Sequence, residues 1–364
     1  MRMTSCPMAP LALLVGGVVL LASVLPLIPT WAYALGGVAA LALWVVFVDA
    51  DLLTLLCGLR GVHKPALYGQ VVWVLGASSG IGEELAVQMS AAGAKVILSA
   101  RRKDELDRVA RRCRERDGGF SPLVLPLDIL AGEEAHRRAV EEIKAKFGGR
   151  LDIAVLNVGR TQRALAEDTE VPVVRAMFDL NVLACISLAQ ACLPTFLAQR
   201  SGTFLVTSSV SGKMAAPASS AYVASKHAIQ GYFDTLRTEV SDRGIRVCVA
   251  CPGPVATPIE AAAFTEQMGK VRAPTEKLES KMPVERCATL MLAAMTRGVD
   301  EAWIAHNPVL LFVYLSQYCP QLAREIAKRW MGPLRTRAFR QGVDFYSVKA
   351  VASLAANVAA SKEQ

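Results

Sequence analysis

A glycine-rich turn set between an apolar strand and a helix restricts this chain more than any other feature. Val71–Leu75 is a short apolar run dominated by valine, and it passes directly into Gly76-Ala77-Ser78-Ser79-Gly80-Ile81-Gly82. A helical stretch over 81–92 follows, then a second apolar run at Lys95–Ser99 and another helical stretch at 102–116. The alternation continues, with buried strands expected at 123–125, 153–156, 203–207 and 246–250 and helices at 132–147, 171–199 and 220–241. Strands apolar on both faces, each followed by a helix, need cover on both sides of a parallel sheet. The fold class expected is α/β with a doubly wound parallel sheet.

The missing side chains at Gly76, Gly80 and Gly82 let the backbone N–H groups of Ser78, Ser79 and Ile81 and the helix N-terminus approach a phosphate. About 20 positions after such a turn, a site for NAD places an acidic residue that holds the ribose hydroxyls. Here the second strand ends Leu98-Ser99-Ala100-Arg101-Arg102. Two guanidinium groups suit a 2′-phosphate, so NADP(H) is the cofactor expected; the bland reading is a solvated first turn of helix.

Further along, Tyr222-Val223-Ala224-Ser225-Lys226 places a phenol and an ammonium four residues apart, on one face of a helix. An unperturbed tyrosine titrates at about 10, too high for acid-base work near neutrality, and an adjacent fixed cation favours the phenolate. By itself the pair is common on helix surfaces. It gains meaning from Ser208-Ser209 after a strand, with Ser209 lying 13 residues before Tyr222, and from the glycine turn. His227 adjoins Lys226, but neighbouring helical residues point about 100° apart, so it is read as a surface or packing histidine.

Hydrophobic residues make up 53% of the 364, and the surplus lies at the start: between Arg2 and Asp49 there is no Asp, Glu, Lys, Arg or His. As helix these 46 residues would run roughly 70 Å, about twice one hydrocarbon core. Residues 1–48 are therefore expected to be a membrane anchor of one or two spans, divided by Pro26 and Pro29; a cleaved signal peptide is the competing account of the first run. The expected organisation continues with a juxtamembrane linker over 49–66, a catalytic domain over 67–306 and an apolar, basic extension over 307–364. Within the domain, 256–282 is polar, lysine-rich and interrupted by Pro274, and reads as a substrate lid or an ordinary insertion. The net charge of +8 does not call for nucleic acid, because the basic residues fall at 101–116, beside the cofactor, and at 324–340, suited to an anionic membrane surface. Nine cysteines without histidines at metal spacing predict free, packed thiols and no metal site.

Taken in order, the glycine turn, Asn157-Val158-Gly159 after a strand, Asn181 on a helix, Ser208-Ser209, the Tyr222/Lys226 pair and Pro252-Gly253-Pro254 after the next strand resemble the short-chain dehydrogenase/reductase superfamily, over about residues 71–305. The resemblance implies a Rossmann-type fold and a catalytic tetrad on Asn181, Ser209, Tyr222 and Lys226. It implies reversible hydride transfer in which Ser209 donates to the substrate oxygen, Tyr222 gives or takes its proton, Lys226 depresses the tyrosine pKa and grips the nicotinamide ribose, and Asn181 holds a water that refills the relay. Cofactor contacts are implied for Gly76, Ser78, Ser79, Gly80, Ile81, Gly82, Arg101, Arg102, Asn157, Gly159, Pro252, Gly253 and Val255. Asp128 is read as meeting the adenine edge or capping a helix, and Thr257 as touching the pyrophosphate or the nicotinamide amide. Leu75 and Val158 depart from the pattern, standing where most of the superfamily has Thr and Ala.

Asp49-Ala50-Asp51-Leu52, Glu83-Glu84, Ser225-Lys226-His227-Ala228 and Glu301-Ala302-Trp303-Ile304-Ala305-His306-Asn307-Pro308 are similar to the membrane-associated group called short-chain dehydrogenase/reductase member 7. That similarity implies an endoplasmic-reticulum enzyme acting on retinoid- or steroid-like carbonyls, and the superfamily's long helices imply a homodimer. A keto-lipid reductase and a catalytically silent, cofactor-sensing protein are the alternatives. Trp303, Phe312, Tyr314 and Tyr318 are read as lipid-pocket residues or as core and interfacial anchors.

Overall fold

The computed structural model describes residues 48–116, 119–270 and 281–340. All but the last residue of the expected anchor lies outside the described residues, as do 271–280 of the expected lid and the tail from 341.

From Asp49 onward, seven strands form a single parallel sheet: β1 (Val71–Leu75), β2 (Lys95–Ser99), β3 (Leu123–Val124), β4 (Ile153–Leu156), β5 (Gly202–Thr207), β6 (Ile245–Pro252) and β7 (Glu301–Ile304). Their spatial order is β3-β2-β1-β4-β5-β6-β7, so the chain reverses its direction of winding between β1 and β4. In doubly wound sheets that switch point opens a crevice at the carboxyl ends of the strands. The strands are buried on both faces because helices cover both. Along β1, Val72 and Val74 face α1 (Leu52–Leu59), α2 (Gly80–Ala91), α3 (Lys103–Glu115) and α8 (Val284–Thr296). Val71, Trp73 and Leu75 alternate onto the other face, with α4 (Glu133–Lys146), α6 (Ala184–Gln199) and α7 (Ser220–Glu239). Three fully buried rings, Phe196, Phe204 and Phe233, pack in tilted pairs through that second layer at 4.8 and 6.4 Å between centroids. Each contributes about 1.5–3 kcal/mol by burial.

Every expected strand forms, with small shifts at the ends. The expected helix over 171–199 is continuous but not uniform: α5 (Val171–Phe178) passes into α6 through a π-turn at Asp179–Leu183. Val171–Gln199 is also the described helix long and apolar enough to cross a membrane; its Leu188, Cys192 and Phe196 pack on the sheet, which accounts for its apolarity.

Within the expected catalytic domain, β7 and α8 escaped the periodicity reading. The α8 sequence Val-Glu-Arg-Cys-Ala-Thr-Leu-Met-Leu-Ala-Ala-Met-Thr is buried almost throughout, so it lacks the apolar-polar alternation that marks a surface helix. Residues 49–59 pack on these two elements. Arg286 of α8 holds the Asp49 carboxylate at 2.7 Å, and Asp51 caps α1 while accepting the Trp303 N–H of β7 at 2.7 Å. Beyond β7 follow α9 (Val309–Tyr318), α10 (Pro320–Ile326) and α11 (Gly332–Arg340).

Candidate active site

The turn between β1 and α2 is built without room for side chains. Gly76 has φ +72°, and a Cβ there would lie 2.2 Å from the Asn157 carbonyl oxygen. At Gly82 a Cβ would fall 2.2 Å from the Gly76 oxygen and 2.6 Å from Asn157 Nδ2. The turns after β1 and β4 therefore touch backbone to backbone. No side chain caps the first amides of α2, and Ser79, Gly80 and Ile81 face a cavity, so the helix N-terminus offers its N–H groups there.

The next helix is pinned to this turn. Arg108 of α3 forms a two-point pair with buried Glu83 of α2, both distances 2.7 Å, and also donates to the Ser78 oxygen at 3.3 Å; Arg112 joins the same carboxylate. Burial raises the Glu83 pKa, but hydrogen bonds from Arg108 and Arg112 outweigh it and hold the carboxyl below its ordinary value. Arg101 and Arg102, immediately after β2, are exposed, and Arg102 donates to Ser78 Oγ at 3.4 Å. Asp128 lies in the turn after β3, where its carboxylate accepts the Leu130 N–H at 3.0 Å; α4 starts later, behind Gly132.

Tyr222 and Lys226 lie in the first two turns of α7. The ammonium of Lys226 donates to the Thr207 carbonyl at 2.9 Å and lies 5.8 Å from the Tyr222 ring centroid. Lys226 is 4% exposed, and burial pushes its pKa down to about 8. Ser209, just past β5, donates to the Pro252 carbonyl at 3.3 Å. The hydroxyl of its neighbour Ser208 instead meets Gln230 Nε2 at 3.2 Å and the Lys226 carbonyl at 3.5 Å. Asn181 sits on the π-turn, buried, exchanging hydrogen bonds with both backbone groups of Arg160 at 2.9 and 3.0 Å and donating to Ser225 at 3.1 Å. Irregular turns of this kind re-aim a side chain within a helix. Gly159 fits between these groups: a Cβ there would lie 3.0 Å from Asn181 Oδ1 and 3.6 Å from Lys226 Nζ.

A cavity of about 1350 Å³ gathers most of the expected residues on one surface: Gly76, Ser78, Ser79, Gly80, Ile81, Arg101, Arg102, Asp128, Asn157, Gly159, Ser209, Tyr222, Lys226, Pro252, Gly253, Val255 and Thr257. Gly82 and Asn181 stand behind its wall. The far end is apolar, lined by Met214, Ile259, Val309, Leu311, Phe312, Leu315, Trp330 and Met331. Phe312 is among the residues expected there from the sequence; Val309, Leu311, Leu315, Trp330 and Met331 belong to the apolar, basic extension, whose docking place the sequence does not show, and Met214 and Ile259 carry no sequence signal for this role. Trp303, Tyr314 and Tyr318 form a separate ring cluster, with centroids 5.2 to 6.3 Å apart. His227 is exposed and bonds the Val223 carbonyl at 2.9 Å. Arg160, Arg163 and Lys281 also line the cavity and were not foreseen.

The model of the family described as short chain dehydrogenase matches residues 70–268. Dehydrogenase/reductase SDR family member 7 of Homo sapiens is 41% identical over 302 residues, covering 81% of this chain and 88% of the relative, and the Mus musculus protein of that name is 40% identical over the same shares. A Drosophila melanogaster protein named SDR family protein 7-like is 36% identical over 70% of this chain and 78% of its own. Among solved structures, a short chain dehydrogenase/reductase from Burkholderia phymatum in complex with NAD shares the fold at a TM-score of 0.61 and 21% identity, over 71% of this chain and 96% of that one. An alcohol dehydrogenase from Thermococcus sibiricus complexed with 5-hydroxy-NADP does so at 0.57 and 22%, over 65% and 97%. With a glycine turn at the switch point, a Tyr-Lys pair across the same cavity and these relatives spanning most of its length, the chain belongs to the short-chain dehydrogenase family of oxidoreductases, on the side of its SDR family member 7 group.

Proposed function

We propose that the protein is a membrane-anchored oxidoreductase that moves hydride between NADP(H) and a lipophilic carbonyl or alcohol of retinoid or steroid type. One observation carries this reading: a single cavity has the glycine turn, Arg101 and the Tyr222–Lys226 pair at one end and an apolar chamber at the other. The residues suit the cofactor. The turn is closed to side chains and open to phosphate oxygens, the α2 N-terminus is uncapped by any side chain, and Arg101 and Arg102 make no ion pair among the described residues. Gly76, Ser78, Ser79, Gly80, Ile81 and Thr257 would hold the pyrophosphate, Arg101 and Arg102 the 2′-phosphate, Asp128 the adenine edge, and Asn157, Gly159, Pro252, Gly253 and Val255 the remaining contacts.

When bound, NADPH supplies the hydride. The chain's own residues handle the proton and the charge. Ser209 donates to the carbonyl oxygen as negative charge develops on it, and Tyr222 delivers the proton that turns the alkoxide into an alcohol. Lys226, buried and still cationic below about pH 8, stabilises the phenolate left behind. Asn181 fixes the turn that carries Gly159 against Lys226 and holds the water that returns a proton to the relay. In the opposite direction the same groups act in reverse order.

Three features support the membrane and the lipophilic substrate. Charge is absent between residues 3 and 48, Leu52, Leu53, Leu56 and Leu59 are exposed on α1, and Leu311 and Trp330 are exposed while also lining the chamber. Arg324, Lys328 and Arg329 stand beside this surface in the sequence, suited to anionic headgroups. The endoplasmic reticulum is the membrane proposed, and a homodimer through Val171–Gln199 and α7 is the assembly proposed. Purified full-length protein in detergent, offered NADPH or NADH and a panel of lipophilic ketones, tests the reading. Turnover with NADPH on bulky apolar ketones is expected, and Tyr222→Phe should lose about 10²–10⁴-fold in kcat while still binding NADPH. Turnover that survives Tyr222→Phe would refute the mechanism.

A further inference from the structure

The charged residues of the cavity do not balance. Its carboxylates are all engaged: Glu105 pairs with Arg108 at 2.8 Å, Asp128 accepts the Leu130 N–H, and Glu260 is shared by Arg163 at 3.3 Å and Lys281 at 2.8 Å. Arg101, Arg102 and Arg160 line the same cavity, and among the described residues none of the three has a carboxylate partner. Arg160 is the unusual member. It arrives from the opposite side of the crevice, directly after the Asn157-Val158-Gly159 turn of β4, whereas Arg101 and Arg102 follow β2. It is half-buried, and burial together with the like charge of Arg101 depresses its pKa. A half-buried guanidinium kept near another cation is costly unless an anion sits with them.

Arg160 is also fastened in a way that leaves its end groups available. Its backbone is held by Asn181, its Nε donates to the Ala262 carbonyl at 2.7 Å, and its guanidinium carbon lies 4.5 Å from the centre of the Phe264 ring. Residues 261–266 lie against residues 161–163, just beyond Arg160, through Phe264 N–H to the Thr161 carbonyl at 2.9 Å and Arg163 N–H to the Phe264 carbonyl at 2.8 Å. One residue thus joins the turn after β4 through its backbone, residues 262 and 264 through its side chain, and the field of Arg101 through its charge.

We propose that Arg160 is a third cationic contact for the phosphates of bound NADP(H), reaching across the crevice opposite Arg101, and that through it cofactor binding steadies residues 261–266. The inference rests on the cofactor reading above. The Nη groups of Arg160 form charge-assisted hydrogen bonds to phosphate oxygen while Nε keeps its bond to Ala262, so occupancy of the cofactor end stiffens the wall of the substrate end.

The test is a fluorescence titration of the full-length protein with NADPH and, separately, NADH, for the wild type, Arg160→Ala and Arg160→Gln, each checked by thermal unfolding. Loss of one charge-assisted contact should raise Kd about 10- to 100-fold at low salt. The difference should shrink towards nothing near 1 M salt, where the Debye length is about 3 Å; a merely structural role would not respond to salt in that way. An equal loss for both cofactors places the contact on the pyrophosphate, and a loss confined to NADPH places it on the 2′-phosphate. NADPH should slow protease cleavage within 261–266 in the wild type and not in the variants. Arg160→Gln, which keeps the stem and an N–H donor, decides the matter where Arg160→Ala does not fold. Unchanged NADPH affinity in a folded variant overturns the inference, whereas a wild-type chain that binds no NADPH overturns the cofactor reading instead.

Discussion

At one end of the cavity the walls come from residues between 76 and 81, 101–102 and 157–159, each within a few positions of the C-terminal end of a strand. At the other they come from Met214, Leu311, Phe312, Leu315 and Trp330, carried by a loop and by helices beyond the last strand. The first end works through backbone geometry and fixed charge, and a change of one methyl group there meets main chain. The second works through side-chain bulk, and its members can be exchanged for others of similar size. Under the proposed function, cofactor chemistry would sit on the rigid half and substrate choice on the replaceable half, so tolerance to substitution should differ between them.

Breaking the rigid half should give the largest effect. A methyl group at Gly82 would overlap the Gly76 oxygen and Asn157 Nδ2, so Gly82→Ala should destabilise the domain by about 1–3 kcal/mol and abolish measurable NADPH binding. Thermal unfolding with and without NADPH reads both, and a variant whose Tm still rises with NADPH would mean that the two turns can separate. Next in size, Arg101→Asp should cost NADPH about 10- to 100-fold in affinity and leave NADH equal or better bound, because the 2′-phosphate then meets a carboxylate. Unchanged selectivity would remove Arg101 from the site.

The replaceable half should respond more gently. Phe312→Ala should raise KM for bulky apolar ketones about tenfold, from lost apolar contact, while leaving the smallest ketones nearly untouched. Equal losses on all substrates would mean that Phe312 supports the catalytic end instead. The smallest effect concerns pH. The Lys226 ammonium has a folded pKa of about 8 against an unfolded value of 10.5, so between these values the unfolded chain binds the extra proton and stability rises with pH. Activity should move the other way: kcat/KM falls as pH rises through about 8, when the phenolate loses its cation. A flat profile from pH 7 to 9.5 would separate Lys226 from the tyrosine.

The same contrast explains what could be read in advance. Val71–Leu75, Lys95–Ser99 and Ile153–Leu156 were legible as strands because they are short apolar runs bounded by turn residues, and the glycine turn was legible because its position between strand and helix gives it meaning. α8 was not, since past its first turn it is buried except at Thr289 and shows little amphipathic period. β7 was not either; four residues, Glu-Ala-Trp-Ile, become a strand only because β6 offers them an edge. The π-turn under Asn181 and the inward course of Arg160 had no sequence signal at all.

Local order of residues fixes the alternation of apolar strands with helices, the glycine turn between the first strand and helix, and the helical face shared by Tyr222 and Lys226, because each depends on neighbours in the chain. Tertiary structure alone decided that Lys226 is buried against Thr207, that Gly76 and Gly82 abut Asn157, that Arg160 faces the same cavity as Arg101, and that α9 and the residues around Trp330 close the apolar chamber. These are contacts between segments roughly 20 to 250 positions apart, and their geometry is set by how helices pack across the sheet, which no local pattern encodes.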